Sequence, residues 1–408
     1  MRRPLYGWLT ADAVSLAGTR VSMIAVPLFV LQTTGSATRT GVVALAETLP
    51  LVLMKLLGGP LIDRVGARRI AVACDLGSFA VVAASPLLYA AGLLTFPLFV
   101  ALVALAGALR GPGDGAKYSL IPALVTATRV PMERVTGLAG TVERTASLTG
   151  SVLAGLLVAG VGAADALLVD ACSFGVSALV MLWATAGLPR VHAEHDPLPY
   201  RAQLRGGWDF LRGDRLLLGI AVMVALTNMV DAAFTSVLMP VWAVRSGNGA
   251  AVLGLAFAFW GGASALGALV AAAYGARLPR FRVYLVSFVI TGAPRFVVMA
   301  LGAPLAAVLG VFLVGGFFSG FLNPLLDAVQ FERIPGALVG RVTSMMTAMC
   351  FALMPLGGLL GGLMVSWWTL SGAFLASGAA YFAFTLLPAV DPTWREMDDR
   401  PEPAPVVS

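Results

Sequence analysis

The sequence predicts an all-α membrane protein: twelve transmembrane helices in two pseudo-symmetric six-helix bundles. Three observations point there. Hydrophobic residues make up 59% of the 408 and charged residues only 12%, too few charges to keep a soluble chain of this length dispersed. The apolar residues gather in windows ~20 residues wide, the length a helix needs to cross ~30 Å of hydrocarbon. The longest polar interruption, from about Pro189 to Asp214, divides twelve such windows six and six. Alternating strands of about ten residues, which would signal a membrane barrel, are absent.

In chain order the windows run 7–32, 41–62, 69–92, 95–117, 135–160 and 164–187, then 215–243, 250–275, 283–302, 304–327, 340–364 and 367–388. Gly, Ala and Ser are frequent in them, which lets backbones approach closely in lipid. The first window is span-length, lacks a small-residue cleavage site and carries Asp12 and Arg20, so it reads as a span and not as a cleaved signal. Residues 1–188 form the first bundle, 189–214 a cytoplasmic linker, and 215–388 the second bundle. The Pro-, Asp- and Glu-rich stretch 389–408 reads as a disordered cytoplasmic tail. In the linker, Leu204, Trp208 and Leu211 share one helical face among arginines, which suits a short amphipathic helix lying at the membrane surface.

Orientation follows from the basic residues. Even-numbered turns hold Arg64, Arg68, Arg69, Arg129, Arg134, Arg190, Arg201, Arg205, Arg212, Arg277, Arg280 and Arg282, whereas odd-numbered turns hold essentially Arg39 and Arg245. The positive-inside rule then puts both termini in the cytoplasm. The net charge of +6 is a topology signal; spread over turns without interleaved aromatics, it does not suggest nucleic acid. Cys74, Cys172 and Cys350 fall singly in spans, so no disulfide framework is expected. Only Lys55 and Lys117 among the basic residues are lysines, which fits the codon bias of a GC-rich bacterium and a place in its cytoplasmic membrane.

The halves look duplicated. At an offset of 213 positions Pro27 meets Pro240, Gly41 meets Gly254, Arg64 meets Arg277, Arg69 meets Arg282, Gly107 meets Gly320 and Asp114 meets Asp327. Charges and prolines are rare in spans, so one register pairing them from the first span to the fourth turn favours a repeated six-helix unit. Two packed repeats around a midplane site are the plan of alternating-access transporters. Duplicated bundles also serve as receptors or membrane-embedded enzymes; a channel would need a filter-like loop or an acidic ring.

The turn after the second span reads Gly59-Pro60-Leu61-Ile62-Asp63-Arg64-Val65-Gly66-Ala67-Arg68-Arg69. It resembles the signature loop of the major facilitator superfamily, G-x-L-x-D-R-x-G-R-R, at the place that family carries it. Gly59 suits close packing and Gly66 a tight turn. The resemblance implies a conformational latch, in which Asp63 caps the eleventh span and holds the outward-facing state closed at the cytoplasm. Ala67 stands where the family usually has its first basic residue. Either Arg68 and Arg69 serve in its place or the latch is weakened; the alternative is that the turn merely anchors to lipid headgroups. In the fifth span, Gly150-Ser151-Val152-Leu153-Ala154-Gly155 resembles the antiporter motif G-P-x-x-G-G, with simple small-residue packing as the rival reading. The stretch Gly206-Gly207-Trp208-Asp209-Phe210-Leu211-Arg212 before span seven looks like the branch containing macrolide-efflux proteins and enterobactin exporters.

A charge at mid-bilayer costs at least ~2.5–3.5 kcal/mol, so those present are usually partnered or functional. Counting ~1.5 Å per residue along antiparallel spans brings Arg20 level with Glu47 and Asp12 level with Lys55. Two stacked ion pairs are expected, either as static glue or in a proton-linked role. Asp231, beside Asn228 in span seven, has no obvious basic match in spans seven and eight. A carboxyl withdrawn from water is able to exchange protons where an exposed one stays ionised. The resemblance implies that span seven lines the cavity, which makes Asp231 the lead proton-coupling or cation-recognition residue, with Arg295 as a possible partner. Arg110 in span four sits where relatives carry a basic residue and has Glu143 or Asp114 within plausible reach; its repeat counterpart is Asn323.

Two motifs are decoys. Gly111 to Tyr118 imitates a phosphate-binding loop but fails at Ala116 and at Tyr118, where Gly and Ser or Thr are required. His192 and His195 lie on a polar turn that is more often solvated than metal-bound. The expectation is therefore a monomeric secondary transporter without metal or cofactor. It works in the lipid bilayer and exports a hydrophobic small molecule, such as an antibiotic or secondary metabolite, against protons. An importer of the same fold is the alternative, and a non-transporting receptor a distant one. Neither enzyme chemistry nor nucleic-acid binding is expected.

Overall fold

The structure, a computed structural model, describes residues 3–188, 200–274, 277–335 and 338–399. Among the described residues every regular element is helical, and twelve helices are long and apolar enough to cross a membrane. These are α1 (Arg3–Thr34), α2 (Ala37–Gly59), α3 (Ala67–Ala90), α4 (Phe96–Thr128), α5 (Arg134–Val161) and α6 (Ala163–Ala184). They continue as α7 (Arg215–Arg245), α8 (Gly249–Tyr274), α9 (Arg280–Ala300), α10 (Leu305–Arg333), α11 (Arg341–Trp367) and α12 (Leu370–Val390). Every expected window falls on one of them. The false phosphate loop is part of a continuous helix, Phe96–Ser119.

Prolines decide where the spans break. The regular ladder is interrupted at Leu120, Gly292, Leu353 and Leu386, each two residues ahead of Pro122, Pro294, Pro355 and Pro388. The proline ring lacks an N–H and crowds the preceding turn. In α7 the same problem is solved by widening: a π turn, Phe234–Leu238, precedes Pro240, which absorbs the clash without ending the helix.

The chain packs as two units. The first gathers the chain through α6 together with Asp231–Gly261 and Met354–Ala373. Within it α1 lies chiefly against α5 and α6, α3 against α4 and α6, and α2 against α4 and the Met354–Trp367 segment of α11. The second unit takes the chain up to Val230, then Gly262–Leu353, and finally the chain from Phe374 on. There α9 lies against α10.

The repeat inferred from the sequence has a packing counterpart inside each unit. A Cβ on Gly107 would run into the Glu47 carbonyl of α2, and one on its mate Gly320 into the Ser264 carbonyl of α8. The fourth span of each half thus meets the second backbone to backbone, at the same repeat position.

Two expectations for the linker and the tail change. The linker helix, Tyr200–Gly213, turns Gly207 and Leu211 inward, with a Gly207 Cβ position only 2.9 Å from the Arg341 carbonyl. Trp208 points outward, so the expected Leu204–Trp208–Leu211 face is split; the side chain of Leu204 lies outside the described residues. As far as Asp399 the tail is folded where it was expected to be loose. A 3-10 helix, Pro392–Asp398, buries Trp394 and Met397 at 4% and 1% exposure. Trp394 lies against Gly219 and stacks on Tyr284 at 5.7 Å. Arg333 bridges Asp214 at 2.9 Å and Glu396 at 3.0 Å. Composition hid this, because one large aromatic outweighs the polar residues around it. Residues 400–408, and His192 and His195, lie outside the described residues.

Candidate functional site

Inside the first unit, α1, α2, α3, α4 and α6 line a small, partly open and largely apolar cavity with a few ionisable groups. Ser22, Glu47, Ser78, Ser85, Arg110 and Asp170 contribute its polar lining, and Phe99 and Phe174 wall it. The volume open to water is about 40 Å³, room for about three waters at ~10–15 Å³ each. Arg110 faces Glu47 at 3.9 Å, which corrects the expected Arg110 contacts to Glu143 or Asp114. Glu143 instead accepts from the Tyr118 hydroxyl at 3.4 Å. Asp170 is 1% exposed, accepts from the Ser22 hydroxyl, and has Ser173 at 3.4 Å. Gly18 makes that depth possible, since a Cβ there would stand 2.5 Å from Asp170 Oδ1.

A second charged cluster lies along the same helices. Lys117 Nζ sits 3.0 Å from Asp75 Oδ1, with side chains 3% and 5% exposed. It donates to Ser15 at 3.0 Å and Ser177 at 3.4 Å, while the Ser177 hydroxyl donates to Asp75 at 2.6 Å. The Trp8 indole closes over it by donating to the Lys117 carbonyl at 3.0 Å. A buried pair keeps its charges only when the remaining donors and acceptors are met, and here serines from α1 and α6 meet them. Asp75 and Asp170 were missed in the sequence. Their signal was plain enough: each is an acid about two turns inside an apolar window.

The expected Arg20–Glu47 pair is replaced by other contacts. Arg20 turns away from α2 and donates to Ser147 of α5 at 2.6 Å, its stem against Gly150. Asp12 senses the charge of Lys117, and Lys55 has interactions of its own. Helical rise sets level but not direction, and α1 packs chiefly on α5 and α6 while α2 packs on α4. Asn228 and Asp231 fall in different units. Asn228 donates to the Cys350 carbonyl at 2.9 Å. Asp231 is half-buried one turn before the π segment, its carbonyl accepting from Thr235 at 2.8 Å. Arg295, offered above as a partner for Asp231, belongs to the second unit, buried with its guanidinium 5.0 Å from the Phe296 ring and 5.2 Å from Tyr381. Asn323 is exposed.

In the signature turn, the helix of α2 runs on to Val65 and Gly66 reverses the chain at φ +98°, a conformation that favours glycine. A Cβ on Gly59 would meet nothing within 4 Å; the close approach of α2 to α4 falls on Gly58, Gly107 and Gly111 instead. Arg68 forks onto the end of α6, donating to Thr185 at 2.9 Å and the Leu182 carbonyl at 3.0 Å. Arg64 and Arg69 are exposed. The side chain of Asp63 lies outside the described residues.

At the other end of these spans the first unit contains two glycine crossings. Gly41 of α2 meets Gly358 and Gly362 of α11, its Cβ position 2.5 Å from the Gly358 carbonyl oxygen and 3.2 Å from Gly362 Cα. Gly155 of α5 meets Gly254 of α8 with a Cβ-to-Cα separation of 2.8 Å. Gly41 and Gly254 are repeat mates, so one template position makes both crossings. The motif glycines of α5 serve two partners: Gly150 lies on α1 and Gly155 on α8.

Comparison with known proteins agrees with this architecture. The family model described as Major Facilitator Superfamily matches residues 9–249. The multidrug efflux pump Tap of Mycobacterium tuberculosis (strain ATCC 25618 / H37Rv) is 29% identical over 405 residues, covering 98% of this chain and 96% of its own. Tap of Mycolicibacterium fortuitum is 27% identical over 409 residues, covering 97% and 98%. Among solved structures, the nucleoside transporter NupG superposes with a TM-score of 0.77 at 13% identity, covering 94% of this chain and 97% of that one, a likeness of fold.

Proposed function

The chain belongs to the major facilitator superfamily, a family of transporters and not of enzymes, and from that premise we propose that it is a proton-coupled exporter of hydrophobic small molecules. It works by alternating access in a bacterial cytoplasmic membrane, as a monomer with both termini in the cytoplasm. Similarity along the full length to proteins named multidrug efflux pumps supports export. Antibiotics and secondary metabolites are the substrate class this favours.

The observation that carries the coupling is the cavity lined by Glu47, Asp170 and Arg110 inside a membrane-spanning helix cluster. Ionisable groups held at that depth at a cost of kcal/mol mark ion or substrate pathways. Asp231, with Asn228 a turn away, is the lead residue for recognising cationic substrate or coupling protons. The Gly59 to Arg69 turn, with Asp63, Arg64, Gly66, Arg68 and Arg69, acts as the conformational latch. The Gly150 to Gly155 stretch acts as an antiporter-type hinge.

Purified protein in liposomes tests this with ethidium, a fluorescent lipophilic cation. An acidic lumen should drive ethidium inward as protons leave, and a protonophore should abolish the accumulation. Accumulation only with acid outside overturns antiport in favour of import. No flux under either gradient overturns the transport of lipophilic cations.

A further inference from the structure

The cavity of the first unit presents two carboxylates to one guanidinium. Asp170 comes from α6, Glu47 from α2 and Arg110 from α4, and all three line one small space. Arg110 stays charged under any condition the membrane meets. It neutralises one carboxylate; the other remains in excess. Burying an uncompensated charge costs several kcal/mol, and a carboxyl relieves that cost by taking a proton.

Among the described residues no further cation lines the cavity; Arg20, which senses the charge of Arg110, is not among the lining residues. From α1, Asp170 meets the Ser22 hydroxyl, while Arg20 is turned to Ser147 of α5. From α3 it is faced by the neutral Ser78, and the acid further along, Asp75, is already matched by Lys117. From α5 the nearest acid is Glu143, held by the Tyr118 hydroxyl, and Arg144 and Arg134 line no part of the cavity. Asp170 senses the charges of Arg110 and Glu47, and Glu47 that of Arg110. The long 3.9 Å separation of Arg110 from Glu47 lets the guanidinium serve either partner.

We propose that Glu47, Asp170 and Arg110 together hold one exchangeable proton, shared between the two carboxyls, and that this is the proton the exporter returns to the cytoplasm. Release breaks one carboxyl O–H bond, passes the proton to water in the cavity and leaves two carboxylates on one guanidinium. The inference rests on the proton-coupled reading above and adds Asp170 to it; Asp231 is then left to recognise cationic cargo.

The charge count makes an unusual demand on variants, which infrared spectroscopy of the protein in lipid reads directly from the carboxyl C=O stretch as pH is raised. Wild type should show one titrating carboxyl from this site in its difference spectrum against Asp170→Asn or Glu47→Gln. Asp170→Asn and Glu47→Gln should each remove that band, because either single carboxylate left behind is balanced by Arg110. Arg110→Gln should instead add a second protonated carboxyl, and Glu47→Asp should restore the wild-type count. If Asp170→Asn fails to fold, the more exposed Glu47 carries the test alone through its Gln and Asp variants. A band that survives Glu47→Gln, or an unchanged count in Arg110→Gln, overturns the proposal. Transport of ethidium by wild type under an imposed pH gradient is measured beside it. Coupled flux with unaltered infrared counts sinks this site alone, whereas absence of coupled flux sinks the reading it rests on.

Discussion

Placing a side chain on Gly41 should prevent the α2–α11 crossing from closing. The added Cβ would stand 2.5 Å from the Gly358 carbonyl oxygen and 3.2 Å from both Gly358 C and Gly362 Cα. Nonbonded carbons rest at ~3.5–4.0 Å. All three obstacles are backbone atoms, so no rotamer change relieves them, and the two helices have to separate. Overpacking of this kind costs ~1–3 kcal/mol, which lowers the population of the packed arrangement ~5–150-fold. Gly41→Ala belongs near the lower end and Gly41→Leu near the upper. The assay is alkylation of a cysteine at position 38 in a cysteine-free background, since Thr38 lies at the seam with its hydroxyl 3.5 Å from the Gly362 carbonyl. The rate with a membrane-impermeant maleimide should climb from wild type through Gly41→Ala to Gly41→Leu, while ethidium transport falls in the same order. An unchanged rate in well-folded Gly41→Leu would refute the claim that glycine-to-glycine contact sets this state.

Three further outcomes follow from the same geometry. Lys117→Met should lower thermal stability by ~3–5 kcal/mol, because it strands the Asp75 charge, and adding Asp75→Leu should recover most of the loss; thermal unfolding in detergent checks both. Trp394→Ala should lower it by ~3–5 kcal/mol as a buried aromatic is lost, and should speed proteolysis of the chain after Val390; protection equal to wild type would show that the 3-10 segment is not docked. Asp231→Asn should weaken transport of ethidium more than that of an uncharged substrate; intact ethidium transport and pH dependence would remove Asp231 from the mechanism.

The spans were legible because the bilayer imposes a length and a hydrophobicity that composition reports directly. The repeat was legible for a related reason: Gly107 and Gly320 keep the same backbone contact in each half, and no residue with a Cβ fits. The partners of charged residues were not. Helical rise gives depth, so Arg20 and Glu47 were placed level, but it says nothing of which way a helix faces. Arg20 points to Ser147 and Glu47 to Arg110, a matter of which helices are neighbours. Lys117 was dismissed with a false phosphate loop, although a lone lysine in an apolar window implies a buried acid, and Asp75 is that acid. Trp394 was lost in a polar tail because window averages dilute a single anchoring ring.

The Lys117–Asp75 bridge also bears on how the chain is made. Asp75 and Lys117 lie on consecutive spans, α3 and α4. Alone, either residue would resist partitioning from the translocon by ~2.5–3.5 kcal/mol. Side by side they neutralise one another, so pairing α3 with α4 relieves a cost that each span carries alone.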